Sequence, residues 1–432
     1  HRIARFSVFI HSSLIFHTHF FIISLRNTFR LENTEIMKNL VIGQSGGPTA
    51  VINASLYGAV KAFRESGADG HVLGMINGIE GFLADHVMDL STDLSDKELE
   101  LLKLTPAAYL GSCRYKLPAD LDSEVYPAIF DNFREMNIGY FLYVGGNDSM
   151  DTVDKLSRYA EKIGSDVKFI GIPKTIDNDL VLTDHTPGFG SAAKYVASTV
   201  REIVLDASVY QQRSVTIVEI MGRHAGWLTA ASRLARKYEG DNPCLIYLPE
   251  TPFSLEQFYN DLDAAFKKSP NLVVCVSEGI ADEGGTFVCE YSDAAKLTGC
   301  GEVLESFVRD KFGVKVRSIE LNVNQRCSGM MVSETDIEEA AMAGAAGVKA
   351  VLAGETKKMI AFKRDSDMPY KMHCTPEDVS LICNQEKKFP KEWINAAGND
   401  ITDDFSAYAL PLIQGEPKRV MENGVPKYLY RK

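Results

Sequence analysis

The chain has 432 residues, of which 45% are hydrophobic and 24% charged, with a net charge of −12. That is enough chain for two or three domains and the balance of an ordinary soluble protein with large cores. The acidic excess argues against nucleic acid or an anionic membrane as the main partner, but a local Lys/Arg cluster can still hold a small anionic molecule.

Residues 1–36 stand apart, with no Met and no acid before Glu32. Three readings compete: a targeting leader, an apolar anchor over Phe6–Ser24 that His11, Ser12, Ser13, His17 and His19 interrupt, or upstream sequence joined in front of a start at Met37. From Asn39 the pattern is regular. A short apolar run to Ile42 predicts a strand, Gly43-Gln44-Ser45-Gly46-Gly47-Pro48 a turn, and apolar positions from about Thr49 to Glu65 a helix. Strand, glycine loop and helix aim backbone N–H groups at a phosphate, although a Gly pair also serves ordinary tight turns. The loop is neither the dinucleotide fingerprint nor a P-loop. His71–Ile76 predicts the next strand, and Gly111-Ser112-Cys113-Arg114 a turn bearing one cation.

Tyr140–Val144 predicts a strongly apolar strand. Gly145-Gly146-Asn147-Asp148-Ser149 then opens a helix towards Ile163, with Asp148 or Ser149 available as a cap. Val167–Ile172 predicts a buried strand ending in Pro173-Lys174-Thr175-Ile176-Asp177-Asn178-Asp179. Ligands in open α/β sheets gather past the carboxyl ends of strands. Thr175, Asp177 and Asp179 alternate, so an extended loop would send them to one side. One carboxylate there can take a proton while another helps hold a metal, and Lys174 offers the charge a transferring phosphoryl group needs; a solvated polar turn is the plain alternative.

Further on come a helix over about 192–207, a strand Val215–Ile220, the turn Met221-Gly222-Arg223, and strands Cys244–Leu248 and Leu272–Val276. Ser277-Glu278-Gly279 closes the last of these, and Arg317 and Arg326 flank another strand. Glu334–Leu352 predicts an Ala-rich helix packed closely on a sheet, and Lys358–Phe362 a strand. Trp227 fits packing better than ligand contact. The eight cysteines form no C-x-x-C, which disfavours zinc ribbons and thioredoxin chemistry and points to a reducing, cytoplasmic setting.

The stretch Pro173–Asp179 resembles the catalytic signature of the phosphofructokinase family, in its pyrophosphate-dependent members, which carry Lys where most ATP-using relatives carry Gly. The resemblance runs from about Met37 to about Ala350, with the motifs in the family's order. Residues 1–36 are therefore expected to be an extension outside the fold, upstream of the true start. The resemblance implies an α/β fold with two Rossmann-like domains of mostly parallel sheet facing across a cleft. The expected boundaries are 37–175 for a phosphoryl-donor domain, with return segments from about 280–345, and 176–432 for a sugar-phosphate domain with a C-terminal extension.

It also implies reversible, Mg²⁺-dependent transfer from pyrophosphate to the 1-hydroxyl of fructose 6-phosphate. In that scheme Asp177 is the base and Lys174 stabilises the transferring group. Gly46, Gly47, Arg114 and Gly146 hold the donor. Thr175, Asp179, Met221, Gly222, Arg223, Glu278, Arg317 and Arg326 hold the sugar phosphate. Asp148 stands where ATP-using relatives carry Gly, and a carboxylate about 4 Å from a phosphate charge costs roughly 4 kcal/mol at an effective dielectric of 20. Asn147 departs from the family's usual Asp at a metal position, so metal is expected to lean on Asp179 and the donor oxygens. The family implies a homodimer or homotetramer. An ATP-dependent relative, a non-catalytic regulatory relative and, distantly, a dinucleotide-dependent oxidoreductase are the alternatives.

Overall fold

The computed structural model describes residues 38–291 and 299–431; the expected extension 1–36 lies outside them. Strands β1 (Asn39–Gln44), β2 (Val72–Met75), β3 (Val87–Asp89), β4 (Ile138–Gly145) and β5 (Lys168–Pro173) come first. Strands β6 (Ser214–Ile220), β7 (Leu245–Tyr247), β8 (Asn271–Ser277) and β9 (Lys315–Glu320) follow, then β10 (Lys358–Asp367) and β11 (Tyr370–Asp378). They build a seven-stranded sheet, β11-β10-β5-β4-β1-β2-β3, and a four-stranded one, β7-β8-β6-β9. The small sheet is wholly parallel. In the large one only the edge strands β3 and β11 run antiparallel to their neighbours.

The apolar runs behave as parallel strands covered on both faces do. In β1, Leu40 and Ile42 pack with Ile52 and Leu56 on one side of the sheet, and Val41 packs with Phe141 and Phe169 on the other. The α/β class, and the strand after each apolar run, agree with expectation to within a few residues. The Ala-rich helix Glu334–Leu352 meets the large sheet as expected, with Gly347 against Ile172. It also lies against the helix Ile52–Glu65. A Cβ on Gly58 would stand 2.0 Å from Ala341 O, and one on Gly344 would stand 1.9 Å from Ser55 O. Two glycines facing opposite backbones let the helices approach this closely.

The expected domain limits need correcting. The segment 280–345 does not return as a block to the first half, because β9 pairs with β6 in the small sheet. The helix Glu334–Leu352 and β10–β11 are what rejoin the large sheet, β10 beside β5, so these residues do not belong with the second half. Sheet membership depends on hydrogen-bond partners nearly two hundred residues away, which local pattern does not encode.

Strand order reverses between β1 and β4, whose ends are in register at Gln44 and Val144. This is the kind of crevice where α/β sheets bind ligands. The turns after β6, β8 and β9 likewise share one edge of the small sheet. Glu278 N donates to Ile220 O at 2.9 Å and Leu321 N to Glu219 O at 3.1 Å.

Candidate active site

The glycine loop after β1 is bent by Gly46, whose φ is +75°, a region open mainly to glycine. The turn before Arg114 braces it: Gly46 N donates to Cys113 O at 3.1 Å, and Ser112 Oγ donates to Gly46 O at 2.6 Å. A Cβ on Gly46 would lie 3.3 Å from Lys174 Nζ, and one on Gly47 would lie 3.2 Å from Arg326 Nη1. The bare loop thus leaves room for two cations, one from each sheet. Lys174 Nζ donates to Gly47 O at 2.7 Å.

After β4, Gly146 is the N-cap of the helix Asn147–Ile163, and no side chain caps it. The capping roles open to Asp148 and Ser149 are therefore not used. Asp148 pairs with Lys116 at 2.9 Å, both side chains about 70% exposed (71% and 70%). Asn147 turns inward; its Nδ2 donates to Gln385 O, while its Oδ1 is buried without a partner among the described residues.

The turn after β5 is the most charged buried element of the site. Lys174 is 4% exposed. Burial pushes its ammonium down to about 8, Asp177 and Asp179 oppose that, and Arg114 and Arg326 reinforce it. Burial raises Asp177 above the usual carboxylate range against the pull of the Thr175 hydroxyl, Lys174, His224 and Arg326. Asp179 is pushed up to about 6 by burial and then by Asp177, and its Oδ1 has no partner among the described residues. The expected extended course is not what gathers these groups. Asn178 is left-handed, φ +54°, and the Thr175 hydroxyl donates to Asp177 Oδ2 and accepts from Asp177 N, both at 3.1 Å.

The small sheet supplies the facing wall. Met221 N donates to Gln325 Oε1 at 3.2 Å, which ties the turn after β6 to the short helix Asn324–Cys327 that carries Arg326. Gly222 N lies 3.5 Å from Glu278 Oε1. A Cβ on Gly279 would stand 1.9 Å from Arg223 O, so the turns after β6 and β8 touch. Arg326 reaches across to the glycine loop. Arg317 does not join them. It sits mid-strand opposite Thr216, pairs with Asp206 at 3.5 Å, and shares a surface groove with Tyr210, Arg213 and Lys315.

Several residues at the site carried no recognised signal. His224 acts on Asp177. The segment Asn384–Phe389 borders the turn, with Lys387 N donating to Asp179 O at 2.7 Å, and burial pushes the Lys387 ammonium down to about 8. Only its KK and acidic neighbours mark it in the sequence, and those suggest nothing more than surface. Trp227 packs, as expected, against Phe389, Trp393 and Tyr408. The eight cysteines are all free. Among the described residues no helix is long and apolar enough to cross a membrane.

The arrangement is a cleft lined by cations around two half-buried carboxylates, a setting suited to moving a phosphoryl group. Comparison with known proteins agrees. The chain is 39% identical over 399 residues to the pyrophosphate--fructose 6-phosphate 1-phosphotransferase of Halomonas elongata, covering 90% of this chain and 95% of that protein. It is 34% identical to a sulfofructose kinase of Alkalicoccus urumqiensis, over 82% of this chain and 94% of that one. The crystal structure of a pyrophosphate-dependent phosphofructokinase from Marinobacter aquaeolei superposes with a TM-score of 0.83 at 38% identity, covering 90% and 95% of the two chains. The family model for phosphofructokinase matches residues 39–351, and the chain belongs to the phosphofructokinase family.

Proposed function

We propose that this enzyme transfers a phosphoryl group reversibly between pyrophosphate and the 1-hydroxyl of fructose 6-phosphate, giving fructose 1,6-bisphosphate and phosphate. The observation that carries this is the Lys174 ammonium, buried and 2.7 Å from the glycine loop, with Arg326 reaching that loop from the opposite sheet. Together they supply fixed positive charge where the transferring group's charge spreads. Asp177 takes the proton of the 1-hydroxyl as its oxygen attacks phosphorus. Burial raises its affinity for that proton, which brings the base nearer its working range. Gly46, Gly47, Gly146 and Arg114 bind the donor. Arg223, Met221, Gly222, Glu278 and Thr175 bind the sugar phosphate.

Mg²⁺ fits the site. Asn147 Oδ1 and Asp179 Oδ1 are buried hard acceptors with no partner among the described residues, the kind of oxygens such a cation takes. Among the described residues no group of three or more His, Cys, Asp or Glu makes a cage, so the metal would share its shell with the donor's oxygens. When bound it neutralises donor charge. Asp148 sets the donor. At its exposure the dielectric is nearer that of water, and repulsion of a nucleotide phosphate falls to about 1 kcal/mol at 4 Å. Exclusion of ATP therefore rests more on the space occupied by the Asp148–Lys116 pair than on charge.

Arg317 serves a second copy of the chain. It lies with Arg213 in a groove beside Tyr210, which is 65% exposed, apart from its own chain's cleft, in keeping with a homodimer or homotetramer. A cytoplasmic location follows from the reducing setting expected for free thiols.

The test is turnover of the purified chain with Mg²⁺ and fructose 6-phosphate, with pyrophosphate and ATP compared as donors and sulfofructose as a rival acceptor. Product formation from pyrophosphate is expected. Turnover with ATP alone would overturn the donor assignment, preference for sulfofructose the acceptor, and no turnover with any pair the catalytic reading.

A further inference from the structure

The segment Asn384–Phe389 runs along the cleft as a strap and touches both of its walls. On the large-sheet side, Asn384 Nδ2 donates to Asp151 Oδ1 at 3.2 Å, and Gln385 O accepts from Asn147 Nδ2. On the small-sheet side, Lys388 Nζ donates to His224 O at 2.8 Å, and Phe389 N donates to Glu250 Oε1 at 3.0 Å. That same Glu250 oxygen accepts from Gly226 N at 2.9 Å. Between these ends sits Lys387. Its backbone N–H holds Asp179 O at 2.7 Å, and its carbonyl accepts from Trp227 Nε1 at 3.0 Å. Its ammonium lies 4.9 Å from the Trp227 ring centre.

The Lys387 ammonium points into the base of the catalytic turn. It donates to Asp184 O at 2.8 Å, Thr183 O at 3.2 Å and Asn178 Oδ1 at 3.4 Å. Three donors meet three acceptors, which is all an ammonium has. The loop it fills cannot hold its shape by sheet pairing alone. Asn178 and Leu182 are both left-handed, with φ of +54° and +62°, a conformation that L-residues such as leucine rarely adopt. Tyr408 braces the same point from the other side: its OH donates to Asp184 O at 2.8 Å and accepts from Asn178 Nδ2 at 2.9 Å.

We propose that Lys387 is a positioning residue for phosphoryl transfer: it fixes the loop Asn178–Asp184, and through it the placement of Asp177 and Asp179, while the strap around it locks the two walls of the cleft in one spacing. Asp177 and Asp179 lie on either side of Asn178, so a loop free to relax would carry both away from the reacting atoms. A displacement of 1 Å at a catalytic group can cost on the order of 10²-fold. The proposal rests on the activity assigned above.

The experiment uses the full chain with pyrophosphate, fructose 6-phosphate and Mg²⁺. Turnover by the unmodified enzyme establishes the activity first, so absence of turnover there defeats the proposed function and not Lys387. In Lys387→Met, kcat should fall about 10²-fold with both KM values within threefold. The same substitution added to Asp177→Asn should cause little further loss, because both act on one step. A kcat within threefold of the unmodified enzyme, or an equal further loss on the Asp177→Asn background, overturns the proposal. If Lys387→Met does not fold, Tyr408→Phe decides it. That change removes the second brace with little change in volume, and kcat should fall about tenfold with KM unchanged; a kcat within twofold overturns the proposal.

Discussion

The turn after β5 and the strap Asn384–Phe389 lie against each other, yet they act by opposite means. The turn works through side chains: Lys174, Asp177 and Asp179 bring three charges into a buried crevice, where each is shifted from its ordinary range. The strap works mainly through main-chain groups and one buried ammonium, and its other charged side chains, Glu386 and Lys388, remain 41% and 53% exposed. On the function and the positioning role proposed above, chemistry is concentrated in the turn, and the geometry that makes it usable comes from a segment two hundred residues later.

If that division holds, substitution of the turn should abolish chemistry without unfolding the chain. Asp177→Asn keeps the volume and the Thr175 hydroxyl bond but removes the base. General-base catalysis contributes about 10²–10⁴-fold, so kcat should drop by that factor while thermal unfolding stays near that of the unmodified enzyme. Unaltered kcat in a steady-state assay would remove Asp177 from its role.

A comparable free energy, but in stability, is stored beneath the turn. His185 is 1% exposed and sits between Asp184 and Glu339, each 2.8 Å away. Tyr370 OH donates to the other Glu339 oxygen at 2.6 Å. Burial alone would lower the imidazole, but the Glu339 and Asp184 carboxylates outweigh it and hold His185 above its ordinary value. Glu339→Ala leaves a buried cation short of a partner and should destabilise by about 3–5 kcal/mol in urea unfolding. A loss under 1 kcal/mol would mean that the network is not structural.

Activity should also report Lys174 through pH. In the proposed mechanism its ammonium form is the working one, and its folded value is about 8, so kcat/KM for pyrophosphate should be held below that pH and fall about tenfold for each unit above it. Lys174→Arg should carry this limb out of range, even where it lowers the rate. Stability moves the other way. The folded value lies below the unfolded 10.5, so the unfolded chain binds the extra proton between about 8 and 10.5, and this group's contribution to stability rises with pH there. An alkaline limb that Lys174→Arg does not move would belong to another group.

The same division explains what could be read from residues alone. The turn after β5, the glycine loop and Met221-Gly222-Arg223 could be placed at strand ends because their pattern is local: polar residues or glycines at the carboxyl end of an apolar run. The return of β10 to β5 and the arrival of Lys387 beneath Asn178 could not be placed this way, since each depends on a partner 188–209 residues distant. Arg317 shows the converse. Its position along the chain suits a sugar-phosphate arginine, but the middle of β9 is not a strand end, and its side chain leaves on a face away from the crevice.

The smallest effects should come from the outer end of the strap, where two terms can be separated at one residue. Asn384 is left-handed, φ +61°, and its side chain makes one exposed hydrogen bond, 3.2 Å to Asp151 Oδ1. Asn384→Gly removes the bond but suits the backbone, and should cost no more than about 0.5–1 kcal/mol. Asn384→Ala removes the bond and keeps a Cβ in a conformation that disfavours alanine by roughly 1–2 kcal/mol, so it should be the less stable of the two by about 1 kcal/mol in paired urea titrations. Both should keep kcat within twofold, because Lys387 still fills the base of the turn. If Asn384→Gly alone lowered kcat tenfold, the strap would be setting the cleft from its rim, and the weight given to Lys387 would have to move outward to the bond with Asp151.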